Sequence, residues 1–276
     1  MRIFIFIIGF LTVFAILGAM SFTRWAENQM IFYPEARLER VPPEWGLVHR
    51  DVFFEAEDGV RLHGWLFPLE GDRPVLLFSH GNAGNISHRL DNVRLLLNEG
   101  LQVFIFDYRG YGRSAGKPSE EGIYKDGLAA YDFLSEKEGF SSRTIIPFGR
   151  SLGACVALEI ALRRSVRAII LESAFTNTKE MAASIPLFKP FSYLLPAHYN
   201  NLAKIGKVSV PKLLVHGTDD EIVPFSMGQE LFDAAKEPKR FFPLQGAGHN
   251  DTYLVGGSAY FRALKDFALQ PLAALP

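Results

Sequence analysis

The sequence predicts an α/β fold, with a mostly parallel central sheet, helices on both faces and an antiparallel hairpin at its start. Three observations carry this. From Pro74 onward, short unbroken apolar runs alternate with helix-like stretches, the pattern of parallel strands buried on both faces. Ahead of them, "VHRDVFFEAEDGVRLHGWLFP" places two strands around Glu57-Asp58-Gly59, where Asp-Gly is a strong hairpin signal. Third, Ser151 stands between two glycines where an apolar run meets a helix-like one. Glycines there remove Cβ atoms at a tight strand-to-helix bend.

Taken in order, "VLLFS" is a strand leading to a helix near Ile86 to Asn98, and "QVFIFD" leads to a helix near Ser119 to Glu138. "TIIPFG" runs into a helix from Leu152 to about Arg163. "RAIILES" and "KLLVHG" are the next strands, the second followed by a helix near Ser226 to Ala235. "RFFPL" is the last strand, and a closing helix runs near Ser258 to Ala268. The stretch from Ala174 to Lys207 is longer than an ordinary crossover and rich in aromatics and prolines. It reads as a small cap over the site, with an inert irregular connection as the alternative.

With 276 residues the chain can build one large domain with a full core, and 48% hydrophobic against 21% charged residues is a globular composition. A formal net charge of −1 gives no electrostatic reason to expect nucleic acid. The single cysteine, Cys155, excludes an internal disulfide and reads as a small buried hydrophobe on the helix after Ser151. The histidines show no HExxH-type spacing, so no metal site is expected.

Residues 3–23 carry no charge. As a helix they would span roughly 30 Å, the thickness of a bilayer core. Arg2 lies on one side, and Arg24, Trp25 and Tyr33 on the other. Residues 1–24 are therefore expected to form a transmembrane signal-anchor with a cytoplasmic N-terminus, 25–47 a linker, and 48–276 a catalytic domain on the exported face. A cleaved signal peptide, giving a secreted protein, is the alternative.

Gly149-Arg150-Ser151-Leu152-Gly153 is a G-x-S-x-G pattern, the sequence of a nucleophile elbow; a plain loop with a serine N-cap is the other reading. A serine hydroxyl needs an adjacent base, usually a histidine oriented by a carboxylate. The chain supplies them in order at later strand ends: "LLVHGTDDEIVP" offers Asp220, and "GAGHND" offers His249. Asp219 and Glu172 compete for the acid role, and His216 reads as structural. Oxyanion donors are expected from the N–H of Leu152, at a helix N-terminus, and of Asn82, in the loop "FSHGNAGN". Phe175, Phe188, Phe191 and Tyr193 in the cap are candidates to contact an apolar substrate.

"SHGNAGN", "FDYRGYGRSAGKPSEEG", "GRSLGA", "HGTDDEIVP" and "GAGHND" together resemble the α/β-hydrolase superfamily. They are most similar to its membrane-anchored, bud-emergence-homologue branch, related to serine aminopeptidase-like hydrolases. The resemblance covers roughly Val48 to Leu269 and implies an α/β-hydrolase fold, Ser151 as nucleophile, Asp220 as acid, His249 as base, and Asn82 and Leu152 at the oxyanion. It also implies that Asp107, Arg109 and Gly110 shape a turn rather than act in catalysis. The expected activity is hydrolysis of an ester or thioester of small-molecule or lipid-like character, with no metal or cofactor. An aminopeptidase or amidase of the same fold, for which the cap offers only Glu180 to hold a free amine, and a membrane-tethered binding protein are the alternatives.

Overall fold

The computed structural model describes residues 30–71 and 73–271. The predicted anchor over residues 3–23 lies outside them. Among the described residues no helix is long and apolar enough to cross a membrane. The chain divides into two units, Met1–Tyr33 and Pro34–Pro276. In the first, the described residues begin at Met30, and Met30 and Ile31 are helical.

The second unit is built on an eight-stranded sheet. Its strands are β1 (Arg50–Glu55), β2 (Arg61–Phe67), β3 (Val75–Ser79), β4 (Gln102–Asp107), β5 (Ile145–Arg150), β6 (Ile169–Glu172), β7 (Lys212–Gly217) and β8 (Lys239–Leu244). The spatial order is β1-β2-β4-β3-β5-β6-β7-β8. The hairpin strand β2 is antiparallel to β1 and β4. The other neighbours pair in parallel. Strands β3, β4 and β5 are buried along their whole length, which is why they read as continuous apolar runs rather than alternating ones. Phe78 of β3 stacks on Phe148 of β5 with ring centroids 4.5 Å apart. The next pair in register is Ser79 with Gly149, so the loops that follow β3 and β5 emerge side by side.

The helices are α1 (Leu90–Asn98), α2 (Glu120–Asp132), α3 (Leu152–Arg163), α4 (Thr178–Ser184), α5 (Asn201–Ile205), α6 (Phe225–Ala234) and α7 (Thr252–Leu269). Ser119 caps α2 by accepting from the Gly122 N–H, with Glu120 and Glu121 favourably placed in the first turn. Trp45 and Leu47, on the approach to β1, pack against the core.

Three helices differ from the sequence expectation. The helix expected from Ile86 begins as a 3-10 turn, Ile86–Arg89, because the Asn85 carboxamide accepts from the Ser87 N–H and tightens the entry. The helix expected to run to Glu138 is regular only to Asp132 and finishes as a π turn, Phe133–Lys137. The closing helix starts at Thr252 rather than Ser258. It is kinked at Gly257 (φ 47°, ψ −137°), and the Gly256-Gly257 pair hides its first turn from a propensity reading. The connection from Ala174 to Lys207 is not structureless: α4, the 3-10 turn Lys189–Leu194 and α5 lie within it.

Candidate active site

The parallel strands β3, β5, β7 and β8 each end in a loop at the same edge of the sheet, and those loops assemble the site. Ser151 follows β5 directly and adopts φ 53°, ψ −117°, a region that side-chain-bearing residues rarely enter. The glycines on either side make the bend feasible. A Cβ on Gly149 would lie 2.2 Å from the Gly153 carbonyl oxygen, and one on Gly153 would lie 1.9 Å from that of Ser79. The Ser151 N–H bonds the Glu172 carbonyl oxygen of β6 at 2.8 Å, so the neighbouring strand props the turn.

The Ser151 Oγ lies 3.1 Å from Nε2 of His249. The other ring nitrogen, Nδ1, lies 2.8 Å and 3.0 Å from the two carboxylate oxygens of Asp220. A carboxylate only accepts, so Nδ1 carries the proton and Nε2 is left to accept from the hydroxyl. A relay of this geometry can turn a weak hydroxyl into a nucleophile. Asp220 is held rigidly, because its Oδ1 also accepts from the N–H groups of Ile222 (3.0 Å) and Val223 (2.7 Å). Burial alone would raise its pKa. The hydrogen bonds of His216 and His249, the electrostatic attraction of His249 and the Val223 N–H outweigh burial and hold the carboxyl well below the usual carboxylate range.

The competitors for the acid role are occupied elsewhere. Glu172 is fully buried and accepts from Thr252 Oγ1 and from the Tyr260 hydroxyl, each at 2.5 Å, with Arg150 Nε 3.3 Å away. Asp219 is exposed and accepts from Thr218 Oγ1. His216 donates from Nε2 to the Val223 carbonyl oxygen at 3.0 Å, which secures the acid loop.

The loop of His249 is pinned by residues the sequence reading passed over. Arg150 Nη2 donates to the His249 carbonyl oxygen at 2.9 Å, and the His249 N–H donates to Glu221 at 3.1 Å. The preceding N–H, of Gly248, donates to Asp251 at 2.7 Å. The one sequence signal was position: Arg150 precedes the elbow serine, and Glu221 follows the acid.

The loop after β3 lies against the serine; a Cβ on Gly81 would be 3.6 Å from the Cβ of Ser151. His80 is fully buried and donates from Nδ1 to the Gly81 carbonyl oxygen at 2.7 Å. That bond fixes the Gly81–Asn82 peptide, whose N–H belongs to Asn82 and points opposite the carbonyl. The Asn82 carbonyl oxygen accepts from the Tyr111 hydroxyl at 2.6 Å. The Leu152 N–H opens α3, where no acceptor exists within the helix. Behind the loop, His80 Nε2 lies 3.6 Å from the buried Asp107, whose Oδ1 accepts from the Ile86 N–H. Arg109 forks between Asp58 and Asp126, so both it and Asp107 are structural.

Cys155 is buried beside Asn201 Nδ2, and burial pushes its thiol up to about 12, against the lowering effect of that hydrogen bond. The aromatics of the connection from Ala174 to Lys207 separate into two kinds. Phe175 is buried, with its carbonyl oxygen accepting from Asn201, and Phe188 is half-buried. Phe191 and Tyr193 are exposed. A groove of about 620 Å³ beside β1 and α2, lined by residues such as Phe53, Lys125 and Phe133, includes none of the site residues.

Among the described residues, Glu35, Glu39 and His88 come together within 4.8 Å in a way that could suit a metal. His88 Nδ1, however, accepts from the Asn85 N–H, which leaves the proton on Nε2, facing both carboxylates as a donor rather than a ligand.

Comparison with known proteins bears on the fold and the family. The serine aminopeptidase S33 family description matches residues 71–203. The Mycobacterium tuberculosis protein Rv2307c is 38% identical over 254 residues, which is 91% of this chain and 90% of that protein. The alpha/beta hydrolase domain-containing protein WAV2 of Arabidopsis thaliana is 35% identical over 248 residues, 82% of this chain and 80% of its own. The solved structure of the Pyrococcus furiosus esterase Pf2001 superposes with a TM-score of 0.71 at 25% identity, covering 87% of this chain and 97% of that one.

Proposed function

The chain belongs to the α/β-hydrolase family, and from that premise we propose that it is a serine hydrolase cleaving carboxylic esters or thioesters through an acyl-enzyme. The observation that supports this reading is the unbroken hydrogen-bonded series Ser151–His249–Asp220 at three strand ends. Ser151 Oγ attacks the acyl carbonyl while His249 Nε2 takes its proton. Asp220 holds the ring and stabilises the imidazolium. The N–H groups of Asn82 and Leu152 receive the oxyanion. His249 then returns the proton to the leaving alcohol or thiol. In the second half it takes a proton from water, whose attack releases the acid and restores Ser151.

The matched family's name, serine aminopeptidase, makes amide cleavage the second reading. That chemistry calls for an acid to hold a free amine, and Glu180, which the cap offers, is engaged by the Thr176 hydroxyl at 3.0 Å. A panel of p-nitrophenyl esters run beside aminoacyl-anilides tests the choice. Turnover confined to the anilides would overturn the esterase reading.

We assign the chain to the membrane-anchored, bud-emergence-homologue branch on its motifs, and propose residues 1–24 as an uncleaved anchor with the hydrolase on the exported face. Residues 3–23, uncharged and long enough to span a bilayer core, support it. Alkaline carbonate is expected to leave the full chain in the membrane pellet; release into the supernatant would indicate a cleaved leader.

A further inference from the structure

The cap carries an inverted pattern. In the segment from Ile185 to Leu195 most of the large apolar side chains point outward: Leu187 is 74% exposed, Phe191 63%, Tyr193 70% and Leu194 67%. The polar Ser192 between them is buried, its Oγ donating to the Lys189 carbonyl oxygen at 2.9 Å. A protein surface in water places these residue types the other way round. Contiguous exposed apolar surface of this kind marks a site of association.

The chemistry of the ridge favours lipid as its occupant. From Met181 to Thr218 the chain has no Asp or Glu, while Lys189 sits exposed within the ridge itself. An apolar ridge with a lysine and no acid complements the anionic headgroups and acyl boundary of a bilayer. Tyrosine beside phenylalanine and leucine is the composition of a membrane interface. The ridge also satisfies its own backbone. The N–H groups of Phe188, Phe191 and Leu195 bond the carbonyl oxygens of Ile185, Phe188 and Ser192 at 2.9–3.0 Å. It therefore presents side chains rather than unpaired strand edges, as entry into an apolar medium requires. The cap leaves β6 at the edge of the sheet where Ser151, Asp220 and His249 emerge. Exposed Ile222, beside Asp220, and Leu254, soon after His249, add apolar surface to the loops of that edge.

We propose that the outer ridge of the cap docks into the headgroup–acyl boundary of a lipid bilayer, so that acyl substrates reach Ser151 from the membrane. Phe191 and Tyr193, expected from sequence to touch substrate, then contact lipid instead. Their exposure suits a bilayer contact and not the lining of an acyl pocket. The docking itself stands whether or not the reaction is ester cleavage.

The test uses the full chain reconstituted into vesicles of phosphatidylcholine with phosphatidylglycerol. Leu194→Cys and, as a control on the β1–β2 hairpin, Glu57→Cys are each labelled with an environment-sensitive dye; the native Cys155 is buried. The dye at position 194 is expected to shift to the blue and to be quenched by doxyl-labelled lipid, and the dye at 57 to do neither. A water-like, unquenched signal at 194 overturns the proposal, as does self-quenching between copies without lipid quenching, which would make the ridge a dimer contact. In parallel, Leu187→Glu with Leu194→Glu is expected to lower turnover of a vesicle-embedded long-chain ester by about 10-fold while leaving a soluble butyrate ester within about twofold. Equal rates on both substrates would overturn it too. If neither ester is turned over by the native chain, the esterase reading fails and the dye readout still decides the docking.

Discussion

The guanidinium of Arg150 donates to the carbonyl oxygen of His249 at 2.9 Å. The residue before Ser151 thus holds the backbone of His249. The same side chain faces the buried Glu172, whose remaining acceptors are filled by Thr252 and Tyr260. Ser151, His249 and the start of α7 are therefore tied to one polar cluster, whose contacts occupy Glu172 away from His249.

This separates two acids by their mutants. Asp220→Asn is expected to cost about 10³- to 10⁴-fold in kcat, since the amide favours the wrong histidine tautomer. Glu172→Gln leaves Arg150 buried without its counter-charge, so it should lower thermal stability more than it lowers kcat per active site. Burst titration beside a thermal melt checks both. A larger kcat loss in Glu172→Gln would move the acid to β6.

Asp220 also predicts a dependence of stability on pH. It ionises more readily in the folded chain than in the unfolded one, so its carboxylate stabilises the fold above the unfolded pKa of about 4. That contribution is lost as pH falls through the lower, folded value. The stability gap between wild type and Asp220→Asn should be constant above about pH 5 and narrow below about pH 4. Denaturant titrations at several pH values check it, and a gap that widens in acid would contradict the assignment.

His80 donates to the carbonyl oxygen of the Gly81–Asn82 peptide, whose N–H is the proposed oxyanion donor. A donor to the Gly81 carbonyl oxygen polarises that peptide and strengthens its N–H as a donor. Replacing His80 with alanine is expected to lower kcat by up to about 10²-fold with KM little changed, and to weaken a trifluoromethyl ketone inhibitor in parallel. Normal kcat at reduced burst amplitude would reduce His80 to a folding role.

Much of this was legible in the residues. "VLLFS", "QVFIFD" and "KLLVHG" are strands β3, β4 and β7 with their ends as read, because strands buried on both faces leave unbroken apolar runs. Ser151, Asp220 and His249, which the fold brings into hydrogen-bond contact, stood out because each stands in a glycine- or turn-rich loop after such a run. The start of α7 was hidden by Gly256-Gly257, where local propensity opposes a helix that tertiary contacts impose through Tyr253 and Tyr260. The pins on His249 were hidden because Arg150 and Glu221 act across long sequence separations, 99 and 28 residues. The orientation of Phe191 and Tyr193 was hidden because an aromatic run reads alike whether it faces a site or the outside.

An acyl preference is the next expectation. Each fully buried methylene contributes about 0.8 kcal/mol, so kcat/KM should rise by up to about 10-fold for every two carbons from C2 esters toward C12 until the available apolar contact is filled. Initial rates across that series check it, and a maximum at C2 would remove the lipid-derived substrate while leaving the triad untouched.

The central claim is that Ser151 is the nucleophile, and covalent trapping tests it most directly. A fluorophosphonate probe is to be added to the wild-type chain and to Ser151→Ala, followed by mass analysis of the digested protein. One adduct is expected, on Ser151, formed with loss of fluoride and of all ester turnover, and no adduct in the folded alanine variant. An adduct on another residue, or more than about a tenth of wild-type turnover in Ser151→Ala, would contradict it.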